Sequence, residues 1–513
     1  MIKNFKWLLL VSLTFVACNS DDSNTTPVEV PATSGSASFA KYVALGDSFA
    51  AGYSDGALFK KGQEGSYVNL LAQQFVEAGG GEFKTPYTSD NIGGLLLGGN
   101  VIAGVRLYFN GVGPVSVDGV PTTEVTTHLT GPFNNLGVPG AKSYHLVAPG
   151  YGNVAGVAIG AANPYFARFS TAAGTTVLAD ALVQAPTFFS LWIGGNDVLG
   201  FATSGGVGVD QTGNLNPATY GSNDITDPNV FASVYSGLVT NLTANGAKGV
   251  VANLPYITTL PYFTTVPYNP LTSKLLGSGS TAVGDATIGA LNAQLYGPLK
   301  AALTAFGAGD RINLLSTTAS NPLLIKDESL TNLSAQLTAA FTPTLGVATA
   351  TFYGSVFGQA RQANANDLVV LPTQSVIGTA PAGIPAPLNK FGITYPLQDK
   401  DVLIPTEVAM IKTATDAYNV TIKAIADSKG LAFVDTKTIM TQLSTGGIVS
   451  NSFTLTSTYV TGGAFSLDGV HPGPRGYALI ANAFSDAINV KYSATLKKID
   501  LGLYPIIYPK VIQ

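Results

Sequence analysis

The sequence predicts an α/β fold: a three-layer α/β/α sandwich around a central, mostly parallel sheet of about five strands, with large insertions. Three observations predict it. Short apolar runs rich in β-branched and aromatic residues alternate with longer segments of helical periodicity. The runs are nearly continuous in apolar residues, as strands buried on both faces are. The segments that interrupt the alternation are long and rich in Gly, Pro and Thr, which marks them as additions to a core.

Residues 41–46, 187–193, 249–254 and 431–435 read as the buried strands, and a fifth strand is expected just before Asn135. Helices are expected over 67–78, 229–245, 287–306, 406–428 and 474–490. The helix over 406–428 is the best specified. Pro405 precedes it, Glu407 sits in its first turn, and Val408, Ile411, Ala414, Tyr418, Ile422 and Ile425 form an apolar stripe that ends before Gly430. Residues 81–131 read as an inserted β-hairpin, pairing 105–109 with 115–120. Residues 255–400, with Pro-aromatic steps such as Pro261-Tyr262-Phe263, read as a long insertion holding one helix, able to line an apolar channel.

The N-terminus carries an export signal: Lys3 and Lys6 precede an apolar stretch from Trp7 to Ala17. Phe15-Val16-Ala17-Cys18 resembles a bacterial lipobox, which implies cleavage after residue 17 and acylation of Cys18, the sole cysteine of the chain. One thiol excludes internal disulfides and thiol-rich metal sites. Residues 18–38 are polar and poor in core formers, so they are expected to be a disordered tether, leaving 39–513 as the folded domain. Asp21-Asp22 resembles a sorting signal to the outer membrane and its surface. Past the signal, no apolar run approaches the ~18 residues of a membrane span. A formal charge of −4 with no Lys/Arg cluster excludes nucleic acid as a partner. Charged residues make up only 11% of the chain, and mean hydropathy is +0.28, pointing to extensive apolar surface. Oligomeric state has no signature.

Ser48, in Gly46-Asp47-Ser48-Phe49, follows the first strand, where the carboxyl ends of a parallel sheet present residues to ligands. Of three histidines, only His471 has a carboxylate three residues before it, Asp468, in a Gly/Pro-flanked loop. A serine, a histidine and its aspartate are the parts of a nucleophilic hydrolase. Asn135-Leu136-Gly137-Val138-Pro139-Gly140-Ala141 is a turn whose amides could face a substrate oxyanion. Asn196, in Gly194-Gly195-Asn196-Asp197 after another strand, can donate its side-chain amide to the same charge. Taken singly, Ser48 reads equally as a capping serine and Asn196 as a turn residue. Asp55 and Asp197 read as turn-forming or hydrogen-bonding neighbours of the site.

In chain order, these four blocks resemble the SGNH (GDSL-type) serine esterase and lipase family. The resemblance implies a flavodoxin-like core, Ser48 as nucleophile, and Asp468 and His471 as acid and base. It implies an oxyanion hole of the Ser48 amide, the Gly140 amide and Asn196, with Gly137 a competing alignment for the glycine. The activity implied is hydrolysis of carboxylic esters through an acyl-enzyme, of lipase, lysophospholipase or arylesterase type, by a lipid-anchored exported protein. A carbohydrate esterase removing acetyl groups from glycans is the alternative within the class. A non-catalytic lipid- or glycan-binding lipoprotein is the alternative outside it. No cofactor is expected, and no metal, because histidines at ligand spacing are lacking.

Overall fold

The computed structural model describes residues 31–512. The expected signal peptide, Cys18 and the first part of the expected tether lie outside the described residues. The last part of the expected tether belongs to the domain. The Thr33 amide donates to Thr495 Oγ1 at 2.9 Å, the Ser36 amide donates to the Tyr492 carbonyl at 2.8 Å, and Ala37 is buried. Main-chain pairing with the C-terminal segment orders these residues without a run of core formers, which is why composition misplaced them.

Five strands make the central sheet: β1 (Tyr42–Gly46), β2 (Asn135–Gly137), β3 (Phe188–Trp192), β4 (Lys248–Ala252) and β5 (Ala432–Val434). Their order across the sheet is β5-β4-β3-β1-β2, and every pairing is parallel. The fifth strand thus begins at Asn135 instead of preceding it. Every residue of β1 and β3 is buried. The one polar side chain of β3, Ser190, is hydrogen-bonded to the Tyr42 hydroxyl at 2.7 Å, so the interior holds no orphan there.

Register places the chemistry. Gly46 pairs with both Gly137 and Trp192, so the residues that follow β1, β2 and β3 emerge side by side at the carboxyl edge. Ser48, the turn through Gly140 and Asn196 come from those three exits.

The helices used below are α1 (Ser48–Ala51), α2 (Tyr67–Glu77), α3 (Asn196–Thr203), α4 (Pro228–Thr243), α5 (Pro405–Lys429), α6 (Thr436–Thr445) and α7 (Pro474–Tyr492). α5 runs as its stripe requires: Ile411, Ala414, Tyr418 and Ile422 are buried, the Ile404 amide donates to Glu407 Oε2 at 2.8 Å, and Gly430 closes the helix at φ +62°. Tyr418 stacks on Phe231 of α4 with ring centroids 4.2 Å apart. α2 packs against α7 through Tyr67 and Phe484, 4.7 Å apart.

The expected hairpin is present but shorter, pairing Leu107–Phe109 with Pro114–Ser116, and a second hairpin precedes it, Leu95–Leu97 with Asn100–Ala103. The long insertion holds more than one helix. The segment read as one helix over 287–306 is two, Thr281–Leu291 and Gly297–Ala305, joined by a π-turn at Asn292–Tyr296. Ser334–Leu345 and Val347–Phe357 form a further pair. Thr and Ala dominate that pair and only a few side chains, such as Leu337, Phe341 and Phe357, are buried, so no 3.6-residue stripe advertised it. The insertion buries two apolar clusters of its own, one centred on Leu299, Leu303 and Leu337, the other on Leu323, Ile325 and Val369. Among the described residues no helix is long and apolar enough to cross a membrane.

Candidate active site

Ser48 is the first residue of α1, at the end of β1. Asp47 caps that helix: its Oδ1 accepts the Phe49 amide at 3.0 Å. Burial pushes the Asp47 carboxyl up to about 6, opposed by that amide and by His471. The Ser48 side chain is thereby held on a fixed turn and is only 6% exposed.

His471 comes from the loop before α7. Its Nε2 lies 2.8 Å from Ser48 Oγ, and its Nδ1 lies 2.9 Å from Asp468 Oδ2. The three residues read from the sequence as nucleophile, base and acid therefore form one continuous relay, although Ser48 and His471 are 423 positions apart. Asp468 is well supplied with donors. Oδ1 accepts the amides of Val470 at 2.9 Å and His471 at 2.8 Å, and Oδ2 also accepts the Gly56 amide at 3.0 Å. Burial raises the Asp468 carboxyl, but the His471 charge and these donors outweigh it and hold it at about 2. It is ionised wherever a neutral imidazole could act as base.

The two candidate glycines are separated by their surroundings. Gly137 is buried at the end of β2, and a Cβ there would lie 2.3 Å from the Ala51 amide nitrogen, so its missing side chain makes room for α1. Gly140 is exposed at φ +80°, with open space where a side chain would stand, on the turn that follows β2. Asn196 opens α3 and donates Nδ2 to the Ala141 carbonyl at 3.0 Å, which ties the two blocks together. Asp197 tightens the same joint: fully buried, it accepts the Ser143 amide at 2.8 Å and the Ser143 hydroxyl at 2.7 Å.

Beside the relay lies a narrow apolar pocket of about 90 Å³. Asp47, Phe49, Val470 and Pro472, chain neighbours of Ser48 and His471, belong to its wall; the rest includes Met440 and Leu443 of α6 and Leu479 and Ala483 of α7. The long insertion contributes only its first residues, Pro255, Ile257 and Leu260. Most of it does not line this pocket, contrary to the sequence reading.

Sequence reasoning missed the aromatic frame of the base. Phe49 and Tyr53 stand 5.4 Å and 4.7 Å from the His471 ring, and Phe49 also contacts Trp192 at 4.9 Å. It also missed the Gly56 amide on Asp468. The one available signal was the Asp55-Gly56 pair, which favours a tight turn so soon after the nucleophile. No family model matches the chain, and neither does any curated protein or solved structure.

Proposed function

We propose that the protein is a serine hydrolase of the SGNH type that cleaves carboxylic esters bearing an apolar acyl chain. One observation carries the reading: a Ser48–His471–Asp468 relay with links of 2.8 Å and 2.9 Å, abutting a pocket walled almost wholly by hydrocarbon. The parallel sheet with the nucleophile after its first strand agrees with a flavodoxin-like, three-layer core.

His471 Nε2 takes the proton of Ser48 Oγ as the oxygen bonds to the ester carbonyl carbon. The oxyanion is received by the amides of Ser48 and Gly140 and by Asn196 Nδ2. As the carbonyl re-forms, the alkoxide leaves with the proton from His471. Water then adds to the acyl-enzyme, gives its proton to His471, and Ser48 recovers that proton as the carboxylic acid departs. Asp468 stabilises the imidazolium at both stages.

The pocket favours lipase, lysophospholipase or arylesterase substrates over acetylated glycans, because an acetyl group would leave its hydrocarbon wall unused. Export and anchoring through acylated Cys18 belong to the same reading, on the strength of the lipobox-like sequence. The test is turnover of p-nitrophenyl esters from acetate to palmitate by wild type and Ser48→Ala. Ser48-dependent hydrolysis that rises with chain length beyond acetate supports the proposal; activity confined to acetyl esters favours the glycan esterase.

A further inference from the structure

The nucleophile and the base come from distant parts of the chain, so something must register one against the other. The turn at Ser54–Ala57 occupies that position. Ser54 and Ala57 exchange both main-chain hydrogen bonds at 3.1 Å, and Asp55 and Gly56 between them have φ +52° and +78°. That is the geometry of a type I′ turn, which suits an Asp-Gly pair.

Four of its groups meet the loop that carries the acid and base, while the Asp55 carbonyl accepts the Leu107 amide at 2.7 Å and the Gly56 carbonyl accepts the Tyr53 hydroxyl at 2.6 Å. Ser54 Oγ donates to the Pro472 carbonyl at 3.1 Å, and the Asp55 amide donates to Ser466 Oγ at 3.0 Å. Asp55 Oδ1 accepts the Leu467 amide at 2.9 Å, and the Gly56 amide donates to Asp468 Oδ2 at 3.0 Å, the oxygen that faces the imidazole. Just ahead of the turn, the Tyr53 ring lies against His471, and its carbonyl accepts the Tyr477 hydroxyl at 2.6 Å, which fixes it to α7.

We propose that this turn is a positioning clamp for the Asp468–His471 arm, with Asp55 as its key residue, and that it sets the rate of the proton transfers through His471 in both acylation and deacylation. The proposal rests on the serine hydrolase reading. Asp55 is a positioning residue, since its bonds reach the backbone beside Asp468 and not the reacting atoms. Its second oxygen, Oδ2, is buried without a partner, so the bond to Leu467 is the function of this side chain that the structure displays. Burial pushes the Asp55 carboxyl up to about 7, opposed by the Leu467 amide, in keeping with a role that a neutral acceptor can fill.

The variants Asp55→Gly and Asp55→Asn of the full chain separate the acceptor from the turn. Both tolerate positive φ; only Asn keeps an oxygen for the Leu467 amide. Asp55→Gly is expected to lower kcat about tenfold or more with KM nearly unchanged, and Asp55→Asn to restore most of the loss. In an Asp468→Asn background, Asp55→Gly should cost little further, because the group it positions has already been altered. Wild-type kcat in Asp55→Gly, equal losses in Gly and Asn, or a full loss on top of Asp468→Asn overturns the clamp while leaving the hydrolase reading in place. Should Asp55→Gly lack a cooperative melt, Ser466→Ala takes its place, with the same kcat loss expected and unchanged kcat overturning the clamp. Wild type without Ser48-dependent turnover overturns the hydrolase reading and the clamp together.

Discussion

At the scale of single residues, the hydrogen-bond donors of the proposed site have separate tasks. Asn196 is held by one hydrogen bond to Ala141, yet its second amide hydrogen is the one the mechanism uses. Asn196→Ala should therefore melt close to wild type while kcat falls roughly 10²–10³-fold, read by ester turnover beside thermal unfolding. Asp468 gives a pH signature. Its carboxyl is depressed from 3.8 to about 2 in the fold, so the stability it contributes is present above pH 3.8 and is lost as pH falls through about 2. Wild type should lose on the order of 2 kcal/mol between pH 4 and pH 2 through this group, and Asp468→Asn should lack that part of the acid transition in denaturant titrations. The residues of the proposed site were legible in the sequence because serine, histidine, aspartate and asparagine sat after strands or in Gly/Pro loops. Gly56, Tyr53 and Phe49 were not, since a main-chain amide or a ring acts through where the fold carries it and not through its type.

At the scale of elements, legibility followed amphipathic contrast. α5 has a strong apolar stripe and clear ends, and its bounds differ from expectation by a single residue at each terminus. The pair Ser334–Leu345 and Val347–Phe357 has little contrast, with Pro343 inside the first helix and Gly346 at φ +73° between them, and read as loop. The pocket is also a matter of elements, because α6 and α7 supply most of one wall from residues that look in sequence like ordinary core. A larger side chain there should act on specificity alone. Ala483→Phe on α7 is expected to lower kcat/KM for long-chain esters about tenfold or more while leaving acetyl and butyryl esters within about twofold. Equal effects across the chain-length series would remove this pocket from substrate binding.

At the scale of the whole molecule, a weakly charged chain joins a domain bearing the relay to an N-terminal sequence of lipobox type. If Cys18 is the anchor, the full chain expressed in a bacterial host that acylates lipoproteins should float with membranes, and Cys18→Ala should not; flotation of both would assign membrane attachment elsewhere. The central claim, that Ser48 is a nucleophile activated by His471 and Asp468, has a more direct test. A fluorophosphonate probe reacts with an activated serine and leaves a covalent mass that peptide mapping locates. The full chain in detergent should be labelled at Ser48, with labelling abolished in Ser48→Ala and strongly slowed in His471→Ala. A folded wild type that takes no label, or takes it undiminished in Ser48→Ala, would contradict the account.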